Sequence, residues 1–268
     1  MFSTHTYAIH YIWLVTASTI AGVMNAMAGG GSFLSFPAML GMGVAPVQAN
    51  ATNTVALWPG QLTSLATLRG DVRKDLLPAI GITSVIGGVA GAVVLLHTQQ
   101  RTFLHMIPWL ILVGTLIFGV SGYVGKWIKG RAEHPHAVRK IPSFALGCSL
   151  FPVCFYIGYF GAGGGFLVMT ILALYGMEEM HQLNALKVFA AMTSNFCAIV
   201  TFVVTGAIVT FVATGAIEWR YCIVSMVFAA LGGWIGARWA RRVPGPWLRG
   251  FVVVTGLVIS AWFFWRQA

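Results

Sequence analysis

Charge is scarce in this chain of 268 residues. Only 8% of the residues are charged, whereas 58% are hydrophobic, and the mean hydropathy is +0.82. These values exclude an ordinary water-soluble domain and place most of the chain in a membrane. The formal net charge of +10 does not indicate a nucleic-acid partner, because the basic residues stand between apolar runs and form no water-soluble basic face.

Acidic residues are the scarcest charged type, and all six fall in loops or at the ends of predicted spans. They are Asp71, Asp75, Glu133, Glu178, Glu179 and Glu218. A carrier of cations or metal ions is expected to place carboxylates, or clusters of His and Cys, inside the membrane. The four cysteines lie in apolar spans without metal or redox spacing. We therefore expect no metal site, no cofactor and no cation cargo.

Apolar runs predict an all-α polytopic membrane protein with about eight full transmembrane helices and two short re-entrant or broken helical arms. The predicted full spans are residues 8–28, 47–68, 76–97, 103–127, 141–162, 181–205, 217–239 and 247–265. The short arms are residues 32–42 and 166–176, which are too short to cross a hydrocarbon core of roughly 30 Å.

An internal repeat divides the chain into two related halves. A shift of 134 residues aligns Gly29–Gly31 with Gly163–Gly165 and also Asn50 with Asn184, without a gap. We therefore predict a first repeat at residues 1–128, a cytoplasmic linker at 129–140 and a second repeat at 141–268.

The placement of Lys and Arg favours inverted repeats. If each short arm returns toward its own side, most basic residues share one side with the linker, and only Arg101, Arg220 and Arg266 lie opposite. If the arms continue across, this bias weakens. By the positive-inside rule, we expect both termini outside a bacterial inner membrane and the linker in the cytoplasm.

The two glycine triplets are candidate elements of a binding site. Each stands between a span and a short arm, so Gly29, Gly30, Gly31 and Ser32 in one half, and Gly163, Gly164 and Gly165 in the other, can form broken helices. Backbone amides and helix N-termini at such breaks bind anions. The alternative is that these glycines only allow close helix packing.

Polar stripes follow both triplets. One stripe consists of Asn50, Asn53, Thr54 and Gln61, and the other consists of Asn184, Lys187, Ser194 and Asn195. Buried amides and hydroxyls are costly in lipid unless they face a cavity or a neighbouring helix, and either role fits a single residue. Lys187 lies well inside a predicted span and can snorkel to the interface, but an intramembrane cation without an apparent acidic partner is a functional candidate.

An intramembrane enzyme is not expected. Ser32 follows three glycines, as a nucleophile can, but no histidine lies in a span where it could activate this hydroxyl. The second repeat has Phe166 in place of Ser32. A helix cap is therefore the better explanation of Ser32.

At these motifs the chain resembles the TauE/SafE family of membrane proteins, which is associated with export of sulfite and organosulfonates. The resemblance spans nearly the whole chain and is carried by Ala28-Gly-Gly-Gly-Ser-Phe-Leu-Ser-Phe-Pro37, Ala49-Asn-Ala-Thr-Asn-Thr-Val-Ala56 with Pro59-Gly60, Gly161-Ala-Gly-Gly-Gly165 and Asn184-Ala-Leu-Lys187. The resemblance implies transport of an oxidised-sulfur anion or a small organic acid. It does not identify the anion.

These observations give the hypothesis of an alternating-access exporter of a small anion such as sulfite or an organosulfonate. The glycine triplets, the polar stripes and Lys187 would surround the anion near the midplane of the lipid bilayer. A gated anion channel and a non-transporting anion-binding membrane protein are the alternatives. The sequence leaves a homodimer open.

Overall fold

The computed structural model describes residues 4–27, 30–129, 141–177, 179–205, 219–239 and 245–267. Within these ranges the chain forms ten α-helices and a short 3-10 turn, and no strand. The helices are α1 (Thr4–Met27), α2 (Ser32–Gly41), α3 (Pro46–Leu68), α4 (Leu77–His97), α5 (Gln100–Lys129), α6 (Ser143–Tyr159), α7 (Gly164–Leu174), α8 (Met180–Val204), α9 (Trp219–Trp239) and α10 (Gly245–Gln267). The predicted all-α class is confirmed.

The helix surfaces are those of a multi-pass membrane protein. Among the described residues, three segments are long and apolar enough to cross a membrane, namely Leu77–His97, Gln100–Ile117 and Met180–Phe202. Large apolar side chains such as Trp109 and Val204 are more than half exposed. Exposure of such side chains is unfavourable in water but favourable in lipid. The number of full spans, eight, stays a prediction.

Local sequence explains where the short arms end. α2 and α7 have only 10 and 11 residues. Past their C-termini, Gly43 and Gly176 adopt positive φ values of 83° and 88°, and the amide of Gly176 donates to the carbonyl of Ala173 at 3.0 Å. Left-handed glycine turns of this kind end helices. The chain then enters α3 directly through Pro46, whose missing N–H is no loss at a helix start.

The closest helix packing joins elements of different predicted halves. α4 packs against α6 and α8, and α9 packs against α1 and α3. A methyl group added at Gly88 would lie 2.5 Å from the carbonyl oxygen of Ser194, and one added at Gly233 would lie 2.5 Å from that of Gly60. Both glycines therefore permit backbone contact between helices. The shift of 134 residues pairs Gly60 with Ser194, and Gly88 pairs with Gly233 after an insertion of eleven residues in the second repeat, so the two contacts occupy matching positions.

Helices α3 and α8 pack against each other in an antiparallel arrangement. Leu68, the last residue of α3, clusters with Ala185 and Val188 near the start of α8. Further back along α3, the indole N–H of Trp58 donates to the carbonyl of Met192 at 3.1 Å. The C-terminal end of α3 thus lies beside the N-terminal part of α8, and the two helices cross near Trp58 and Met192. The two polar stripes lie on these helices and meet where they cross.

Candidate functional site

A cavity lies where the two broken helices meet the crossing of α3 and α8. Its lining comes from both predicted halves. The lining residues are Asn25, Ser32, Thr54, Leu57, Gln61, Ser64, Gly161, Gly165, Lys187, Val188, Ala191 and Asn195. The space open to the centre of a water-sized molecule is about 20 Å³, which holds a water but not a hydrated anion. A larger ligand therefore requires the helices to separate.

Lys187 is the charged residue in this lining. It lies in α8 with only 1% of its surface exposed, so its side chain does not snorkel to an interface. Nζ donates to the carbonyl oxygens of Asn25 at 3.4 Å and Ala26 at 3.5 Å, in the last turn of α1. These carbonyls form the negative end of α1. Both bonds are long, and an ammonium group has three N–H donors.

Asn50 makes the corresponding contact at the other broken helix. Its Nδ2 donates to the carbonyl of Tyr159, the last residue of α6, at 3.1 Å. Tyr159 lies 134 positions after Asn25, so the two accepting carbonyls are related by the repeat. Each broken helix thus ends against a polar side chain from the opposite predicted half, and one donor is charged while the other is neutral.

The amides of the first glycine run are already hydrogen-bonded within the protein. The amides of Gly30 and Gly31 donate to Oδ1 of Asn25 at 3.2 and 3.1 Å. Gly31 holds the cap position of α2, so Ser32 is the first helical residue and not the cap that its sequence position suggests. The side chain of Ser32 lines the cavity instead. Gly29 lies outside the described residues.

The second glycine run forms a turn with left-handed backbone. Gly163 caps α7 with φ 77°, and a methyl group added to it would lie 2.7 Å from Cζ of Phe33 in α2. The first run shows the reciprocal contact, because a methyl group at Gly30 would lie 2.9 Å from Cε2 of Phe166 in α7. Each glycine break therefore packs against an aromatic ring from the other short arm.

Amide side chains join the two stripes at the cavity. Nδ2 of Asn195 donates to Oε1 of Gln61 at 3.1 Å, and these two residues also stand 134 positions apart. Oδ1 of Asn195 is buried and has no hydrogen-bond partner among the described residues. Thr54 also lines the cavity, while its hydroxyl donates to the carbonyl of Asn50 at 3.0 Å.

The cavity brings together part of the predicted site. The predicted residues that line it are Ser32, Thr54, Gly165, Lys187 and Asn195. Those described but absent from the lining are Gly30, Gly31, Asn50, Asn53, Gly163, Gly164 and Asn184. Asn53 instead accepts a hydrogen bond from Ser35 at 2.6 Å, and Gly164 donates to the carbonyl of Gly161 at 3.4 Å. Asn184 is buried, and its Oδ1 has no partner among the described residues.

Three polar lining residues were missing from the predicted site. Gln61 was part of the predicted polar stripe on α3 but not of the predicted site, and the 134-residue shift pairs it with Asn195. Asn25 is a polar residue inside an apolar span and close to the first glycine run, and this position could have identified it. Ser64 gave no signal, because the repeat has Ala198 at its position.

Other charged groups of the described residues lie away from this lining. The ion pair found in these ranges joins Arg73 and Asp75 in the turn between α3 and α4. There the Arg73 guanidinium holds the pKa of the Asp75 carboxyl below its ordinary value. Across the described ranges, no group of three His, Cys, Asp or Glu residues is placed to hold a metal ion.

Comparison with known proteins identifies the family of this chain. The family described as "Sulfite exporter TauE/SafE" matches residues 14–263. The chain belongs to the TauE/SafE family. No solved structure gives a significant match.

Several curated TauE/SafE relatives cover nearly the full chain. The probable membrane transporter protein ORF9 of Sinorhizobium sp is 27% identical over 94% of this chain and 92% of its own length. The probable membrane transporter protein YfcA of Escherichia coli K12 is 28% identical over 92% of this chain and 87% of its own length. A probable membrane transporter protein of Haemophilus influenzae is 26% identical over 92% of both chains. This TauE/SafE protein is therefore a membrane transporter.

Proposed function

We propose that the protein exports a small anion, sulfite, an organosulfonate or a related small acid anion, by alternating access through this cavity. The observation that carries the proposal is Lys187, a buried cation that lines the cavity without a carboxylate beside it among the described residues. A buried unpaired charge is costly. An anion that enters the cavity removes this cost, so the site favours anions over cations and neutral solutes.

The hydrogen bonds of Lys187 support anion binding. Its two carbonyl acceptors lie at 3.4 and 3.5 Å, near the upper limit for a hydrogen bond. A charged oxygen accepts a shorter and stronger bond from an ammonium group than a carbonyl does. The ammonium can therefore bind an anion while the last turn of α1 stays close. Gln61, Asn195 and the hydroxyls of Ser32 and Thr54 supply neutral polar contacts around it.

Alternating access follows from the position of the cavity between the predicted halves. Residues 1–128 and 141–268 would form inverted repeats that rock about the crossing of α3 and α8. The antiparallel course of these helices and the reciprocal contacts of α4 and α9 support this arrangement, because an inverted repeat requires equivalent helices to run in opposite directions. The small volume of the cavity fits an occluded state.

The choice of anion and of direction rests on the family. Its name refers to sulfite export, and the glycine and Asn-Lys motifs of this chain resemble that family. In a bacterial inner membrane the interior is negative, which favours exit of an anion by about 2.3 kcal/mol per charge for each 100 mV. Export therefore needs no coupling ion.

Flux through purified protein in sealed liposomes tests this function. We expect saturable uptake of one or more of sulfite, thiosulfate, methanesulfonate and acetate, with counterflow when the same anion is loaded inside. Counterflow requires a carrier that returns with its cargo. Single-channel currents would instead indicate a gated channel. Movement of no member of the panel would contradict the proposal, and an anion titration would then show whether the protein binds anions without transporting them.

A further inference from the structure

The charge of the cavity lining limits the charge of the ligand. Twelve residues form this lining, and Lys187 is the one among them with a formal charge. Along the sequence, the acidic residue nearest to Lys187 is Glu179, eight positions earlier. At 1.5 Å per residue, this places Glu179 about 12 Å away along the helix axis. The site without ligand therefore has a net formal charge of +1.

Part of this single charge is already balanced by the protein. The carbonyl oxygens of Asn25 and Ala26 face the ammonium group from the C-terminal turn of α1. A helix C-terminus has the effect of roughly half a negative charge. The charge left for a ligand is at most one unit, and the same carbonyls repel any further negative charge.

Because the site is buried, the net charge of the complex between Lys187 and its ligand determines the free-energy cost of binding. The self-energy of an ion in a medium of low dielectric constant rises with the square of its charge. A singly charged anion forms a neutral complex with Lys187, and neutral complexes are the least costly to occlude between helices. A doubly charged anion of equal size leaves an uncompensated negative charge, and the other polar lining groups are neutral amides and hydroxyls.

We propose, resting on the proposed transport function, that the protein moves singly charged anions and discriminates against doubly charged anions of the same size. Lys187 is the residue that determines this specificity. The substrate class is then monoanions such as monosulfonates and hydrogensulfite, and sulfate and disulfonates are excluded.

Matched anion pairs test the proposal in liposomes that contain the wild-type protein. Sulfate is similar in size to methanesulfonate and to perchlorate but carries one more negative charge than either of them, which gives two matched pairs. We expect each monoanion to move at least about tenfold faster than its doubly charged partner, because only the latter leaves a buried charge. Equal or faster flux of the dianions would overturn the charge limit and leave the transport function standing. If neither these anions nor the earlier panel move, both proposals fail.

A charge-altering variant gives a second measurement. Gln61→Lys adds a second cation to the lining, and Gln61→Met is its uncharged control. We expect Gln61→Lys to raise the flux of sulfate relative to methanesulfonate and Gln61→Met to retain the preference for the monoanion. An unchanged ratio in a folded Gln61→Lys protein would contradict the proposal. If this variant does not fold, the wild-type pairs decide.

Discussion

Lys187 and Asn50 hold related places at the ends of the two broken helices. Each donates to a last-turn carbonyl of the opposite predicted half, at Asn25 and Tyr159 respectively. A neutral amide satisfies such a carbonyl without the cost of burying a charge. The cation at Lys187 is therefore not needed to cap α1, and under the proposed function its charge serves to bind the anion.

Replacement of Lys187 by Met tests this explanation. We expect anion affinity to fall by at least about tenfold, because a charge-assisted hydrogen bond contributes roughly 1.5–3 kcal/mol. Lys187→Arg keeps the charge and should retain part of the affinity. Lys74→Met removes the same charge from an exposed turn and should behave like wild type. Anion titration of the purified variants measures these affinities, and wild-type affinity in Lys187→Met would remove Lys187 from the site.

The hydrogen bond between Gln61 and Asn195 joins the two predicted halves at the cavity. Gln61→Leu leaves Nδ2 of Asn195 without its partner, and Asn195→Leu does the same to Oε1 of Gln61. We expect each single change to destabilise the fold by about 1–3 kcal/mol, and the double change to cost less than the sum. Unfolding of the four proteins in detergent gives the coupling energy. Additive effects would show that the two amides do not interact.

At the scale of elements, the two glycine breaks differ from ordinary loops in what they contact. Gly163 and Gly30 each lie against an aromatic ring of the opposite short arm, Phe33 and Phe166, and both rings are almost fully buried. The glycines therefore serve packing as well as backbone geometry. This sets the position of α2 relative to α7 and hence the shape of the cavity between them.

Gly163→Ala and Gly176→Ala separate these two roles. Both glycines have positive φ, so either alanine strains the backbone by roughly 1–2 kcal/mol. An added methyl group meets Phe33 at 2.7 Å at position 163 and nothing within 4 Å at position 176. We expect Gly163→Ala to lower the melting temperature and the transport rate more than Gly176→Ala. Equal losses would mean that the Phe33 contact has no influence.

At the scale of the whole molecule, the proposed inversion places equivalent turns on opposite sides of the membrane. Ala45, before α3, and Glu179, before α8, are 134 positions apart and partly or fully exposed. In inverted repeats with both termini outside, position 45 lies outside and position 179 in the cytoplasm. In parallel repeats both would lie on the same side.

Single-cysteine variants distinguish these topologies. With the four native cysteines replaced by alanine, we expect a membrane-impermeant thiol reagent to label Ala45→Cys in intact cells. Glu179→Cys should react only after the cells are permeabilised. Lys74→Cys, in a turn that carries several basic residues, serves as the cytoplasmic control and Gln99→Cys as the external one. Labelling of positions 45 and 179 from the same side would contradict the inverted arrangement.

Most helix boundaries could be predicted from the sequence. The spans predicted at residues 76–97 and 181–205 correspond to Leu77–His97 and Met180–Val204, and the arm at 32–42 corresponds to Ser32–Gly41. Apolar runs, glycine, proline and charge set these limits locally. The site was less predictable, because a buried polar residue in one helix can face a cavity, a neighbouring helix or its own backbone.

By itself, the sequence determined an all-α membrane protein with two glycine breaks and a lysine inside a span, because composition and periodicity act within each segment. Only the tertiary structure decided that Asn25 accepts hydrogen bonds from the amides of Gly30 and Gly31, and that Lys187 lines a cavity with Gln61 and Asn195. These contacts join residues far apart along the chain. They depend on how closely whole helices approach, which no local pattern specifies.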